Sequence, residues 1–311
     1  MKNIAVIGSG LIGRAWSIVF VKAKFKVYLY DLDPEALTKA YEDIKSSLND
    51  LKTHKLISEE PSVLLSRITL AKSIEHAVSN AEYVQENTSE DLEIKKKVFS
   101  SLDKYAPKHC ILASSTSTIQ TSLFSEHLSG RNRCLVAHPV NPPHLVPIVE
   151  ISPSPWTDES IIQRAYELHQ TIGQVPIHVK KEIPGFILNR LQAALLQEAW
   201  RLVAENYVSV EDVDKTIKDG LGLRWAFMGP FETIDLNAPG GIADYAARFG
   251  DAYSAMMRDV EHPEWDKDLV DKVETQRRKI LPFAEHGKRE IWRDQQLMKL
   301  VAHKRASSPS K

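Results

Sequence analysis

The chain has 311 residues, of which 43% are hydrophobic and 26% are charged, and its formal net charge is −1. This length suits two domains with separate cores, and the composition is typical of a soluble globular protein. The near-neutral charge lacks the basic excess that nucleic acid or an anionic membrane attracts, so we expect neither partner. Cys110 and Cys134 are too few for a disulfide framework or a four-cysteine metal site. We therefore expect no metal centre. We also expect a cytoplasmic protein, because the first strand leaves no room for a signal peptide and no apolar run reaches the ~20 residues of a membrane span.

The first predicted strand, residues 3–7, leads directly into a glycine-rich turn, and apolar residues at helical spacing follow over 14–24. This strand–turn–helix context is what a dinucleotide-binding G-x-G-x-x-G requires, since backbone N–H groups at the helix start can hold a pyrophosphate. The residues predicted to carry the pyrophosphate are Gly8, Gly10, Leu11, Ile12 and Gly13.

A second strand, residues 26–30, ends in Asp31. An acid at this place can accept both hydroxyls of the adenosine ribose and repels a 2′-phosphate, which predicts NAD rather than NADP. Alternatively, Asp31 or Asp33 only caps the helix that begins near Pro34.

The rest of the first half continues to alternate strand and helix patterns, which is typical of a parallel, doubly wound α/β sheet. Further strands are predicted at residues 68–70, 81–86, 110–113, 134–137, 146–151 and 174–179, and helices at 34–51, 91–105 and 158–172.

The densest group of reactive side chains lies in residues 134–150. His138 closes a predicted strand at its carboxyl end, where open α/β sheets bind ligands, and Glu150 lies near the end of the following strand. A carboxylate beside an imidazole fixes its tautomer and suits it to take a hydroxyl proton. The spacing fits equally well a histidine that is merely hydrogen-bonded at a strand end, with Glu150 as an unrelated surface acid.

The pattern changes at residues 180–185, a charged segment that contains Pro184 and Gly185, and no strand pattern follows. Helices are predicted at 186–206, 210–219, 230–249, 262–282 and 284–304. We predict an N-terminal Rossmann-like NAD-binding domain over residues 1–182 and an all-helical C-terminal domain over 183–311. The second domain is expected to contact substrate and to form a homodimer.

Six segments together resemble the L-3-hydroxyacyl-CoA dehydrogenase superfamily, and most of all its branch of lambda-crystallins and L-gulonate 3-dehydrogenases. The segments are GSGLIG, VQENTSEDLEIKKKVF, SSTS, VAHPVNPPHLVPIVE, PGFILNRLQ and GLGLRWAFMGPFE. The resemblance implies NAD-linked oxidation of an L-configured 3-hydroxyl group. It also implies roles for further residues: Ser117, His138, Glu150 and Asn189 as the active site, Asn141 on the substrate side, and Glu86 and Lys95 near the nicotinamide ribose. From the residues alone, the hydroxyls around Ser117 can equally cap a helix, and the Asn189 amide can be satisfied by backbone.

The chain departs from the acyl-CoA branch in two places, because Pro139-Val140 follows His138 and an Arg224-Trp225 pair precedes Met228. A guanidinium can clamp a free carboxylate with two parallel hydrogen bonds, so Arg224 is predicted to bind the substrate's carboxylate. A salt bridge between domains or subunits is the alternative role for Arg224.

We therefore expect a small free 3-hydroxy acid, such as L-gulonate, to be oxidised to the 3-keto acid. The alternatives are an L-3-hydroxyacyl-CoA, and L-carnitine, whose quaternary ammonium requires an aromatic cage that Trp225 and Phe227 can supply. A protein of a different class, a crystallin-like NAD-binding protein without turnover, is disfavoured because Ser117, His138, Glu150 and Asn189 are all present.

Overall fold

The computed structural model of the chain describes residues 2–258 and 260–307, and the strands within them form a single sheet. They are β1 (Asn3–Ile7), β2 (Lys26–Tyr30), β3 (Ile68–Leu70), β4 (Tyr83–Glu86), β5 (Ile111–Ser114), β6 (Cys134–Pro139), β7 (Ile148–Pro153) and β8 (Val175–His178). Their order is β3-β2-β1-β4-β5-β6-β7-β8, the order of a doubly wound sheet that grows outward in both directions from β1.

One strand pair departs from the predicted parallel arrangement. β6 and β7 are antiparallel, with Leu135 opposite Pro153 and His138 opposite Glu150, whereas the other pairs in this sheet are parallel. The prediction that Glu150 lies near the end of its strand is therefore wrong, since β7 begins at Ile148 and continues to Pro153. Residue periodicity reveals a strand but not its direction, and the short connection between the two strands permits a hairpin.

Helices cover both faces of this sheet. They are α1 (Leu11–Lys22), α2 (Pro34–Thr53), α3 (Pro61–Leu65), α4 (Ile74–Val78), α5 (Leu92–Tyr105), α6 (Thr121–Ser125) and α7 (Glu159–Thr171). Alternate residues of β1 point into two separate apolar clusters, Ile4 and Val6 into one, Ala5 and Ile7 into the other. The first cluster contains residues of α1, α2 and α7, and the second contains residues of α4, α5 and α6.

The described residues divide into two compact units, one within 1–190 and 292–311 and the other within 191–291. The second is helical: α8 (Leu188–Ala204) enters it, and α9 (Val210–Lys215), a π-helix (Thr216–Leu221), α10 (Gly222–Trp225), α11 (Pro230–Asp235), α12 (Gly241–Met257) and α13 (Lys267–Ile280) follow. The last helix, α14 (His286–Ser307), begins in the second unit and returns to the first, where Met298 is buried in the cluster on the α1 side. We predicted that all of residues 183–311 belong to the second domain. In the structure, the part of α14 from Trp292 onward belongs to the first unit instead.

The predicted helix over 230–249 is two helices instead. Pro239 and Gly240 stand between α11 and α12, and Gly241, the first residue of α12, has a φ of +72°, which L side chains rarely adopt. No helix in the described part of the chain is both long and apolar enough to span a bilayer.

Candidate active site

The turn between β1 and α1 has the geometry that a pyrophosphate needs. Gly8 has a φ of +91°, and a Cβ there would lie 2.6 Å from the carbonyl oxygen of Asn87. A Cβ on Gly13 would overlap the carbonyl oxygen of Gly8, whereas the space within 4 Å of a Cβ on Gly10 is open. Leu11 begins α1, whose first turn has no side-chain cap and no acid, so the N–H groups of Leu11 and Ile12 remain available. These residues therefore fit an anionic dinucleotide lying on the turn.

The two acids after β2 have different roles. Asp31 Oδ2 accepts hydrogen bonds of 2.7 Å from both the backbone N and the Oγ of Ser9, inside the glycine turn. Burial works against the charged form, but these bonds and that from Asp33 N keep the pKa of Asp31 below its ordinary value. Asp33 accepts from Glu35 N at 2.9 Å and caps α2. Capping thus belongs to Asp33, and Asp31 remains ionised beside the turn.

Glu86 and Lys95 form a buried ion pair. Lys95 Nζ lies 3.1 Å from each carboxylate oxygen of Glu86, and the two side chains are 1% and 0% exposed. Glu86 also accepts from Thr88 and, at 2.5 Å, from Ser114 Oγ. Both groups already have protein partners in the structure. Direct contact of this pair with the nicotinamide ribose therefore stays a prediction.

His138 and Glu150 meet as a hydrogen-bonded pair. The antiparallel register sets them opposite each other, and His138 Nδ1 lies 2.7 Å from Glu150 Oε2. Both side chains are almost fully buried, at 6% and 0% exposure. A carboxylate only accepts hydrogen bonds, so Nδ1 carries the shared proton, and in the neutral imidazole the lone pair is on Nε2. Glu150 is therefore not the surface acid of the alternative interpretation.

The other oxygen of Glu150 anchors the helix that leaves the first unit. Oε1 accepts from Ile187 N at 2.8 Å and from Leu188 N at 2.9 Å, at the start of α8. Phe186, just before them, has a φ of +50°, a strained value for a bulky residue, and is fully buried. Its ring centroid lies 5.4 Å from that of His138. The turn therefore packs the Phe186 ring against the His138 imidazole and directs two backbone N–H groups at the Glu150 carboxylate.

Ser117 and Asn189 also come together. Asn189 Nδ2 donates to the backbone carbonyl of Ser117 at 2.9 Å, so the amide does have the backbone partner that the alternative interpretation expected. Asn189 Oδ1 and Ser117 Oγ make no hydrogen bond to any residue the structure describes, which leaves both able to contact a substrate. No α-helix begins at Ile119; Thr116 Oγ1 accepts from Ile119 N at 3.0 Å, and α6 begins two residues later.

The two predicted substrate residues lie in separate units. Asn141 is exposed in the connection between β6 and β7. Arg224 is exposed in α10, and its guanidinium forms no hydrogen bond or ion pair with the described residues. The salt bridge that was the alternative role for Arg224 is therefore not formed within that part of the chain.

Side chains that could bind a metal do not cluster in the part of the chain that the structure describes. Among the described residues, no group of three or more His, Cys, Asp or Glu side chains could hold a metal ion. Both cysteines are buried, and burial raises the pKa of each thiol, that of Cys110 and that of Cys134, to about 12. They are inert thiols rather than nucleophiles.

Several residues of the site were not singled out from the sequence. Ser9 binds Asp31, Glu90 binds the loop around Ser117, and Phe186 packs against His138. The Pro-Gly pair before Phe186 is a turn signal that could have indicated an unusual backbone there. No sequence signal identifies the partners of Ser9 and Glu90, since each pair is more than 20 residues apart along the chain.

Comparison with known families matches nearly the whole chain. The 3-hydroxyacyl-CoA dehydrogenase NAD binding domain matches residues 3–183, and the 3-hydroxyacyl-CoA dehydrogenase C-terminal domain matches residues 185–286. The two matches meet just before the strained turn at Phe186, and most of α14 lies beyond the second match.

Individual relatives and structures agree with these matches. A lambda-crystallin homolog from Bos taurus is 42% identical over 304 residues, which cover 96% of this chain and 94% of that protein. An L-carnitine dehydrogenase from Streptomyces coelicolor is 34% identical, with 88% of this chain and 85% of that protein covered. The structure of a 3-hydroxyacyl-CoA dehydrogenase from Archaeoglobus fulgidus has 30% identity and a TM-score of 0.68, covering 88% of this chain and 87% of that chain.

Proposed function

Because the chain belongs to the 3-hydroxyacyl-CoA dehydrogenase family and has its NAD-binding domain, we propose that it oxidises the L-3-hydroxyl of a small free 3-hydroxy acid. The buried pair of His138 and Glu150, joined at 2.7 Å, is the observation on which this proposal rests. NAD, when bound on the turn after β1, supplies the acceptor for the hydride from C3.

The chain's own residues handle the proton. His138 Nε2 takes the hydroxyl proton, because its Nδ1 already donates to Glu150. The Glu150 carboxylate stabilises the resulting imidazolium, and its two backbone bonds to the start of α8 keep it from turning away. Ser117 Oγ and the second N–H of Asn189 Nδ2, whose first N–H is donated to the Ser117 carbonyl, donate to the reacting oxygen and orient it toward the base. A positioned base of this kind contributes roughly 10²–10⁴-fold.

The exposed Arg224 guanidinium supports a free acid over a thioester. Without an ion pair among the described residues, it can bind a carboxylate bidentately, and an acyl-CoA thioester offers no charge at that position. The named activity of the carnitine relative supports the same choice, because carnitine is itself a 3-hydroxy acid with a free carboxylate. L-Gulonate is our first candidate, an L-3-hydroxyacyl-CoA the second and L-carnitine the third.

A substrate panel tests this proposal. NADH formation is measured with L-gulonate, L-3-hydroxybutyrate and L-carnitine, and NADH consumption with acetoacetyl-CoA. The free acids are expected to give the highest kcat/KM, and Arg224→Met to lower it at least 10-fold, about 1.4 kcal/mol. Arg248→Met is the matched control, since Arg248 is already paired with Asp244 at 2.7 Å. Highest activity with acetoacetyl-CoA, or an Arg224→Met loss no larger than the control's, contradicts the free-acid proposal.

We also propose a homodimer formed through the second unit. This unit exposes large apolar side chains along one stretch of chain, among them Phe231, Leu236, Phe249, Met256 and Met257. Apolar surface of this kind is typical of protein–protein interfaces. Light scattering is expected to give twice the 35.1 kDa mass of one chain, and a mass of one chain at micromolar concentration contradicts the dimer.

A further inference from the structure

A second cavity, with a volume of about 690 Å³, lies within the first unit. Its walls are the end of α1, the connection between β6 and β7, the turn from α7 into β8, and the last part of α14. None of the residues assigned above to the cofactor, the substrate or the reaction lines it. Small-molecule sites typically have volumes of roughly 300–1,000 Å³, so this cavity is large enough to hold a ligand of its own.

The lining of this cavity is mainly apolar. Aliphatic side chains from each wall make up most of it, among them Val19, Leu145, Val146, Ile172, Val175 and Leu297. A ligand with an aliphatic body suits such a surface, because binding removes both apolar surfaces from water.

Two polar atoms of the lining are buried without a partner. Gln174 is only 8% exposed, and its Nε2 donates to the carbonyl of Pro143 at 3.3 Å, which orients the amide. Gln174 Oε1 and His144 Nδ1 then have no hydrogen-bond partner among the described residues. Burial, together with the nearby charge of Lys22, lowers the pKa of His144 to about 4, so its ring is neutral near pH 7. A buried acceptor without a donor costs free energy, and a ligand hydroxyl can supply that donor to Gln174.

The charge of the lining has one sign. Lys22 and Lys304 are its charged residues, and no Asp or Glu is among the lining residues that the structure describes. Lys22 is half-buried and Lys304 is exposed, so both lie nearer to solvent than Gln174 does. The cavity therefore attracts an anionic group toward its outer part, while its unsatisfied acceptor lies deeper.

We propose that this cavity binds an amphipathic anion, an aliphatic chain with a hydroxyl at one end and a carboxylate at the other. The hydroxyl donates to Gln174 Oε1, the chain packs on the aliphatic lining, and the carboxylate lies by Lys22 and Lys304. This is a second binding site, and it does not depend on the oxidation of 3-hydroxy acids proposed above.

Three matched probes test the proposal by isothermal titration calorimetry with the full-length protein: 8-hydroxyoctanoate, octanoate and 1,8-octanediol. The hydroxy acid is expected to bind most tightly. Octanoate lacks the donor for Gln174, and its Kd should be at least ~5-fold higher. The diol lacks the carboxylate, and its Kd should be at least ~3-fold higher than that of the hydroxy acid at low salt.

Two variants locate the probes in the cavity. In Gln174→Leu, the hydroxy acid should lose its advantage over octanoate, and Gln170→Leu is the control because Gln170 is exposed on α7 and does not line the cavity. In Lys304→Met, both carboxylates should bind more weakly and the diol should not. Lys299→Met is its control, since Lys299 is exposed on α14 outside the lining.

If Gln174→Leu fails to fold, Leu300→Trp replaces it, because Leu300 lines the cavity and is already 39% exposed. The larger ring narrows the space, so all three probes should bind at least ~10-fold more weakly.

Three results overturn the proposal. The first is no binding of any probe at millimolar concentration, which means that the cavity holds only water. The second is equal binding of 8-hydroxyoctanoate and octanoate by the wild type, or an advantage of the hydroxy acid that survives Gln174→Leu. The third is binding that Arg224→Met abolishes, because the probe then occupies the proposed active site. Failure of the protein to oxidise free acids leaves this test unaffected, since it measures binding alone.

Discussion

Asp31 and Asp33 stand two positions apart, yet their surroundings give them separate tasks. Asp33 accepts from Glu35 N and begins α2, and Asp31 bonds to Ser9 within the glycine turn. The difference arises because β2 ends at Tyr30, so Asp31 lies at the edge of the sheet beside the turn, whereas Asp33 already belongs to the next helix. Both acids were visible in the sequence, but only the hydrogen bonds in the structure assign capping to Asp33.

At the scale of this residue, Asp31→Asn is expected to weaken NADH binding at least ~10-fold and to narrow the preference for NADH over NADPH. The amide is a poorer acceptor for the ribose hydroxyls and no longer repels a 2′-phosphate. Fluorescence titration with both cofactors measures this. Asp33→Asn is the matched control, because asparagine caps helices about as well as aspartate. Unchanged Kd values in Asp31→Asn rule out a ribose-binding role.

At the scale of elements, α8 depends on a side chain from another strand. The amides of Ile187 and Leu188 have Glu150 as their acceptor, and Glu150 also holds His138. The start of the helix and the orientation of the base therefore share one carboxylate. A substitution of Glu150 can therefore keep its bonds to the start of α8 while it changes its bond to His138, depending on which side-chain atoms remain.

Glu150→Gln separates these functions. Its remaining oxygen can still accept from the start of α8, so the free energy of unfolding should fall by no more than about 1 kcal/mol. Its NH₂ group faces His138 Nδ1 and favours the tautomer with the proton on Nε2, so kcat should fall at least ~10²-fold. Kinetics and urea denaturation measure the two effects, with Glu182→Gln as the control because Glu182 binds only Ser122 N among the described residues. Retention of more than a tenth of kcat contradicts the assigned tautomer.

Helices and strands whose signals lie close together in the sequence could be predicted from it. The strand–turn–helix of Gly8–Gly13 was recognisable because its glycines, apolar strand and helix are contiguous, and the doubly wound α/β arrangement followed from the alternation of strands and helices. The order of the strands within the sheet was not predicted. The direction of β7 was not predictable from apolar content alone. The break between α11 and α12 had a signal in Pro239 and Gly240 that the helical spacing of 230–249 outweighed.

At the scale of the whole molecule, a buried hydrogen-bond network crosses the first unit. His169 Nε2 lies 3.0 Å from the hydroxyl of Tyr83, which donates to Gln85 at 2.6 Å. Gln85 in turn donates to Ser115 Oγ at 2.7 Å, and Ser115 donates to Asn87 beside the glycine turn. Such a network specifies one packing of the core, and no sequence pattern connects residues so distant along the chain.

This network predicts a pH dependence of stability. Burial lowers the pKa of His169 from its usual 6.5 to about 3, so between these values the unfolded chain binds a proton that the native state excludes. The contribution of His169 to the free energy of unfolding is therefore fully present above pH 6.5. Below pH 6.5 this contribution falls by about 1.4 kcal/mol for each unit of decreasing pH.

From about pH 6.5 to about pH 5, the wild type should lose about 2 kcal/mol more than His169→Gln, whose side chain does not titrate. Urea denaturation of the full-length wild type and variant at the two pH values measures this loss in the free energy of unfolding. His109→Gln, at an exposed position, is the control. Equal losses in the wild type and His169→Gln contradict the neutral, buried state of His169.

The role of His138 is decided by NADH formation from L-gulonate, measured for the wild type and for His138→Gln together with the Kd of NADH for each protein. With His138 as the base held by Glu150, the wild type turns over the acid, and the variant loses ~10²–10⁴-fold in kcat while its NADH Kd stays within about 3-fold. A variant that keeps more than a tenth of the wild-type kcat contradicts the assignment of His138 as the base.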